Sequence, residues 1–328
     1  MSDRILVTDY KWPNLEIESA ILGEIGAQLV PAPDGKEDTL VELARGCRGI
    51  MTCWAETTGR VIEAALPDLR VISRYGIGLD NIDVKFATRQ GVPVANVPTY
   101  CVIDVAEHTL SCILALSTKL TFLDRRIRQN SWNIQEALPM RRVRGKRLGL
   151  IGLGNIGRQV AVLAGALGME VVAFTPNLTD ERALESGAAA VCLEELLSSS
   201  DFISLHAPVN DATSHLMDAA AFSRMKSSAC LVNASRGALV HEGDLFRALT
   251  DGEIAAAALD VRDPEPPVDD DPLRQLDNII HTPHSSFYTS ESIEELQSQT
   301  AWEVRRVLTG EEPHNLVNPD YRRARSGQ

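Results

Sequence analysis

The segment Lys146 to Pro176, KRLGLIGLGNIGRQVAVLAGALGMEVVAFTP, restricts the possible folds of this chain more than any other. Arg147 to Ile151 is a short apolar run suited to a buried parallel strand, and Gly152-Leu153-Gly154-Asn155-Ile156-Gly157 predicts a tight turn. Arg158 to Gly168 carries helix-forming Ala, Leu and Val, and a second strand is expected at Glu170 to Phe174. Each glycine has a function in such a unit: Gly152 for the sharp turn, Gly154 for approach of a pyrophosphate to the backbone, Gly157 for a helix lying close on the strand. The helix N-terminus then offers unpaired N–H groups and a partial positive charge to phosphates. Strand, turn, helix and strand in this order make Gly152, Gly154, Asn155, Ile156 and Gly157 candidate dinucleotide-binding residues, where a lone Gly-rich turn would indicate only packing.

The flanking sequence continues the α/β alternation. Strands are expected at Arg4 to Thr8, Gly49 to Thr52, Leu69 to Ser73 and Val92 to Ala95, with helices at Leu15 to Ile25, Thr58 to Ala65 and Ile82 to Gln90 between them. Cys101 to Ser117 reads as a helix, Thr118 to Asn130 as a second, basic one, and Ser131 to Gly145 as an irregular arm carrying Trp132 and Leu138. Seven strand candidates follow from Arg147 onward: the two above, then Ala189 to Cys192, Phe202 to Leu205, Cys230 to Asn233, Ala255 to Leu259 and Ile279 to His281. Helices are expected near Met217 to Met225 and Glu242 to Thr250. A chain of 328 residues exceeds what one core fills. The pattern predicts an α/β protein of two doubly wound parallel-sheet domains, with ligands at the carboxyl ends of the strands.

The formal net charge of -13 argues against binding a nucleic-acid backbone or an anionic membrane surface. The basic run Arg141 to Lys146 is short and reads as a solvated connector. Six cysteines at irregular spacing, without a CxxC, suggest reduced core thiols and no zinc site. MSDRILVTDY enters a strand-like run without signal-peptide character, and no apolar stretch reaches the ~20 residues of a membrane span. A cytoplasmic location is therefore expected. The acidic run Asp269-Asp270-Asp271 lacks partners at metal-ligand spacing and reads as a solvated loop; no metal is expected.

Three ionisable residues follow strands: Arg236 in NASRG, Glu265 in LDVRDPEP and His284 in HTPHSSFYT. With RYGIGLDNID at Arg74 to Asp83, NVPTYCVIDVAEHTL at Asn96 to Leu110, the Gly-rich unit and the segment TPHSSFYTSES, these motifs span nearly the whole chain. In order and spacing it resembles the D-2-hydroxyacid dehydrogenases, and within them the C-terminal-binding-protein-like branch. The resemblance implies that Arg236, Glu265 and His284 match the family's catalytic Arg, Glu and His. A hydride reaching the carbonyl carbon of a 2-keto acid leaves negative charge on the oxygen unless a proton arrives. His284 is the expected donor, help of a kind contributing roughly 10²- to 10⁴-fold. Glu265 would hold its tautomer, and Arg236 offers a planar fork for carboxylate and carbonyl.

Further roles come from the same resemblance. Arg74, otherwise only a surface charge, and the backbone of Tyr75, Gly76, Ile77 and Gly78 are expected to face the substrate carboxylate, and Trp54, Tyr100, Cys101 and Phe287 either line its pocket or pack in the core. Ala207, Pro208, Ala234, Arg236 and Asp260 are expected near the cofactor, Asp260 accepting from the carboxamide, while His108 and His206 read as structural or cofactor-adjacent. NAD-dependent members end the second strand of the unit with an acid, and here that position is Thr175. Without the carboxylate a 2′-phosphate is not repelled, so NADP is slightly favoured over NAD. Formate dehydrogenases, which resemble this fold, carry Gln at the position of Glu265. The implied architecture inserts a Rossmann dinucleotide-binding domain, residues 100–290, into a smaller flavodoxin-like substrate domain, residues 1–99 plus 291–328, with closure about the connections and a homodimer built through the second domain, Cys101 to Gly145 reaching across. The expected partner is a small 2-keto or 2-hydroxy acid. The alternative is a cofactor-sensing, corepressor-like binding protein with little turnover.

Overall fold

Residues 2–176 and 178–326 are described by a computed structural model, which divides into two compact units, Met1–Cys101 with Thr289–Gln328, and Val102–Tyr288. In the first unit, β1 (Arg4–Val7), α1 (Glu16–Gly23), β2 (Gln28–Pro31), α2 (Glu37–Ala44), β3 (Cys47–Thr52), α3 (Gly59–Ala64), β4 (Val71–Arg74), α4 (Val84–Arg89) and β5 (Val94–Ala95) follow one another. The strands pair in parallel in the order β2-β1-β3-β4-β5, the flavodoxin-like arrangement. β2 and α2 were not expected from the sequence. β2 is an edge strand whose residues are exposed or half-buried, and α2 buries only Leu40 and Ala44, so neither shows a continuous apolar run.

The second unit begins with α5 (Val102–Thr118) and α6 (Leu120–Arg128), separate helices because Lys119 between them takes φ 55°. It continues with β6 (Arg147–Ile151), α7 (Asn155–Ala166), β7 (Glu170–Phe174), α8 (Asp180–Leu184), β8 (Ala189–Ala190), α9 (Leu193–Ser199) and β9 (Phe202–Leu205). It then runs through α10 (Ala219–Phe222), β10 (Cys230–Asn233), α11 (Glu242–Thr250), β11 (Ala256–Leu259) and β12 (Ile279–His281). The seven strands expected from Arg147 onward form one parallel sheet, β12-β11-β10-β9-β6-β7-β8. Counted from β6, this is the order 3-2-1-4-5-6 of the Rossmann fold with one strand added. The chain then returns to the first unit through α12 (Ser290–Leu308) and α13 (Tyr321–Ser326).

Period-two alternation explains the layers of the second unit. Phe202, Val232, Ala256 and Ala258 pack on one face with Ile113, Val160 and Ala164, while Ile203, Leu205, Leu231 and Leu259 pack on the other with Leu197, Phe222 and Leu245. Each large aliphatic side chain buried there contributes roughly 1.5 to 3 kcal/mol. Both faces are therefore covered.

Five cysteines are buried, but Cys192 is exposed at the N-cap of α9, so the expectation of core thiols fails there. Among the described residues no helix is long and apolar enough to cross a membrane, and no group of three His, Cys, Asp or Glu could hold a metal ion.

Candidate active site

β6 and β9 are neighbours from opposite halves of the second sheet, so the loops after them flank its switch point, where such sheets bind ligands. Gly152 has φ +103°, and a β-carbon there would overlap the carbonyl of His206. Only glycine fits that approach. Burial pushes the His206 imidazole down to about 4, and its Nε2 lies 2.9 Å from Ser204 Oγ. α7 starts at Asn155, earlier than the expected Arg158, because Gly154 in extended conformation is its N-cap and Gly157 packs in its first turn against the Gly152 carbonyl. Gly154 supplies no side-chain acceptor to the first amides, and no atom would lie within 4 Å of a β-carbon on it. Those donors and that space fit a pyrophosphate. Asn155 is exposed and Ile156 half-buried at the same helix start. Thr175 is half-buried just past β7, and Asn177 lies outside the described residues. The Ala207 carbonyl, beside exposed Pro208, accepts from Ser235 Oγ at 2.9 Å, tying this loop to Ala234.

The ends of β10, β11 and β12 carry the ionisable set. His284 Nδ1 lies 2.8 Å from Glu265 Oε2, and the amide of Arg262 donates to Glu265 Oε1 at 2.8 Å. Burial would raise the Glu265 carboxyl, yet the hydrogen bond and charge of His284 and the Arg262 amide outweigh it and hold it below its ordinary value. His284 has φ 52°, a left-handed conformation costly for a residue with a side chain. It is held there because its amide donates to the Asp260 carbonyl at 2.7 Å, and the Phe287 ring stands edge-on to the imidazole at 6.0 Å.

Asp260 does more than the sequence suggested. Its buried carboxylate accepts from Thr282 Oγ1 at 2.6 Å and from the amides of Ser285 and Ser286 at 2.9 and 3.0 Å, so it braces the turn that carries His284. Burial would raise this carboxyl as well, but these hydrogen bonds prevail and keep it depressed. Thr282 Oγ1 also lies 3.2 Å from His108 Nε2. Arg236 is half-buried after β10, with Nη1 donating to the Ser235 carbonyl at 2.7 Å and its own carbonyl accepting from Asn233 Nδ2 at 2.8 Å. The structure thus joins Glu265, His284 and Asp260 by hydrogen bonds, and Arg236 belongs to the neighbouring loop.

In the first unit, Arg74 ends β4 with its guanidinium over Gly76, and its Nε is buried without a hydrogen-bond partner. An orphaned guanidinium beside Gly76, Ile77 and Gly78 is suited to an anion. The Tyr75 side chain points away, fully buried, with its hydroxyl donating to buried Glu18 at 2.9 Å, so only its backbone is left for a ligand. Tyr100 and Cys101 are buried and Trp54 half-buried. The switch point of this sheet, between β1 and β3, is filled by the chain itself: the Asp9 carboxylate accepts from the amides of Cys53, Trp54 and Ala55 at 3.2, 2.9 and 3.1 Å.

Residues 110–286 match the family model described as "D-isomer specific 2-hydroxyacid dehydrogenase, NAD binding domain". The chain belongs to the D-isomer specific 2-hydroxyacid dehydrogenase family. It is 38% identical to a D-3-phosphoglycerate dehydrogenase of Methanocaldococcus jannaschii over 96% of its own length and 59% of that relative's, so it spans about three fifths of that longer chain. It is 34% identical to a glyoxylate reductase of Korarchaeum cryptofilum, covering 88% of each chain. A solved D-lactate dehydrogenase from Aquifex aeolicus, complexed with NAD and lactic acid, superposes with a TM-score of 0.83 at 26% identity, covering 96% of this chain and 99% of that one.

Two features of this family member are not evident from its sequence. Thr282, Ser285 and Ser286, which secure the His284 turn, were visible only as short polar residues around the histidine. The acidic run is a solvated loop only in part. Asp269 and Asp270 are exposed, but Asp271 is 4% exposed and its carboxylate accepts from Arg262 Nη1 at 2.7 Å. A buried cation across the loop draws the third acid inward, and no periodicity announces such a pairing.

Proposed function

We propose that this chain is an NAD(P)-dependent oxidoreductase that interconverts a 2-keto acid and a D-2-hydroxy acid. The single observation that carries the reading is the 2.8 Å contact of Glu265 with His284 Nδ1, on a turn braced by Asp260. A nicotinamide cofactor, when bound, supplies or accepts the hydride. The Glu265 carboxylate keeps the proton of the imidazole on Nδ1 and leaves Nε2 to exchange a proton with the substrate oxygen. In reduction His284 Nε2–H donates to the carbonyl oxygen as charge gathers there, and in oxidation the neutral ring takes the hydroxyl proton. Arg236 binds and polarises the carboxylate and carbonyl as a planar donor. In the first unit, Arg74 and the amides from Tyr75 to Gly78 are assigned to the substrate carboxylate.

Gly152 to Gly157, Ala207, Pro208 and Ala234 are assigned to the cofactor, and Thr175 leaves acceptance of NADPH as well as NADH. The carboxylate of Asp260 already accepts three hydrogen bonds, so its contact with a carboxamide uses its remaining lone pairs. Exposed Leu120, Ile127, Trp132, Ile134 and Leu138 along α6 and the arm support a homodimer. Placement in the C-terminal-binding-protein-like branch belongs to the same proposal, with Arg74 matching the Arg that faces the substrate there.

The test mixes the protein with NADH or NADPH and glyoxylate, pyruvate or hydroxypyruvate and follows the nicotinamide absorbance. Turnover is expected with at least one acid, and His284→Ala lowers it by roughly 10²- to 10⁴-fold while cofactor binding survives. Cofactor binding without turnover on any acid would favour the corepressor-like alternative.

A further inference from the structure

Arg262 stands two residues after Asp260 with its side chain 6% exposed, where an apolar residue would avoid desolvating a charge. Its Nε and Nη2 donate to the two carboxylate oxygens of Glu242, at the start of α11, at 2.8 and 2.7 Å. Its Nη1 donates to Asp271 Oδ2 at 2.7 Å, and Asp271 Oδ1 accepts from the Leu273 amide at 3.1 Å. Burial opposes the cation, but both carboxylates outweigh it and raise the guanidinium above its usual value. Stability is a weak reason for such a group, because replacing a buried ionic triad by apolar residues is often neutral or stabilising.

Its effect is geometric. One guanidinium joins the first turn of α11, the loop after β11 and the turn at Pro272–Gln275. Glu242 Oε1 also accepts from the Asp263 amide at 3.1 Å, so the main chain on both sides of the Arg262 carbonyl is held. The Arg262 amide is the donor that fixes Glu265 Oε1, leaving Oε2 directed at His284. We propose that Arg262 is a positioning residue, whose fork to Glu242 and Asp271 fixes the amide that aims the Glu265 carboxylate at His284. The proposal rests on the reading of Glu265 and His284 as the reacting pair. A lysine supplies the charge without the fork and cannot replace it.

Steady-state kinetics of the full chain test this, with whichever of glyoxylate, pyruvate or hydroxypyruvate supports turnover. Arg262→Lys is expected to lower kcat on the order of 10- to 10²-fold, the scale of a small misplacement of a reacting group, with KM for the cofactor unchanged. In a Glu265→Gln background the same substitution causes no further loss, because the carboxylate it aims is gone. Asp271→Asn, which keeps the Glu242 fork, gives the same pattern more weakly and carries the test if Arg262→Lys does not fold. Unchanged kcat in these variants, or equal losses in both backgrounds, overturns the positioning role. If Glu265→Gln alone leaves kcat intact, the reacting pair is misassigned and the proposal falls with it.

Discussion

A β-carbon on Gly237 would overlap the carbonyl carbon and oxygen of Arg262 and stand 2.7 Å from the Asp263 amide. Gly237 follows Arg236, and Arg262 precedes the loop of Glu265, so two chain segments more than twenty residues apart are set in register at one van der Waals contact.

Gly237→Ala should therefore separate the Arg236 and Glu265 loops. Overpacking of this kind costs about 1 to 3 kcal/mol, and a displaced reacting group loses activity on the order of 10²-fold. Thermal unfolding together with kcat measures both effects. Wild-type turnover in this variant would show that the two loops tolerate separation.

Asp260 makes the stability of its turn depend on pH. Its folded pKa lies below the unfolded one, so the native state binds the proton less readily. The stabilisation is complete above the unfolded value near ~3.9 and is lost as pH falls through the folded value. Asp260→Asn is expected to lose on the order of 2 kcal/mol at neutral pH, the scale of hydrogen bonds to a charged acceptor. The difference in melting temperature from wild type should then narrow below about pH 4. A difference independent of pH would assign those hydrogen bonds to some other group.

Thr175→Asp places a carboxylate just past β7. A negative charge near a 2′-phosphate costs about 1 kcal/mol or more, so kcat/KM for NADPH should fall at least about 5-fold relative to NADH. Competing assays with the two reduced cofactors read that ratio, and an unchanged ratio would place the adenosine ribose elsewhere.

Arg74→Met removes the guanidinium whose Nε has no partner. Hydrogen bonds to a charged group contribute roughly 1.5 to 3 kcal/mol, which predicts a 2-keto acid KM raised by about 10- to 10²-fold with cofactor KM preserved. Equal losses in both constants would mark a general disturbance of β4 and not an anion contact.

The sheet of the second unit was legible because its strands are short and mostly apolar, and all seven expected strands are present. β2, α2, α8 and α9 escaped because they expose much of their surface, so too few residues are apolar to mark a period. Arg236, Glu265 and His284 stand after strands, as His206 and Asp260 also do, so the family resemblance and not place alone singles them out.

What the sequence determined by itself was the alternation of strand and helix and the glycine turn at Gly152, since local sterics and burial on both faces of a strand act within a few residues. Tertiary structure alone decided that Asp260 braces the His284 turn, that Asp271 turns inward to Arg262, and that the Tyr75 ring is buried on Glu18. Each of these joins groups distant in the chain through a hydrogen bond whose value depends on exclusion of water, and exclusion of water is a property of the packed molecule.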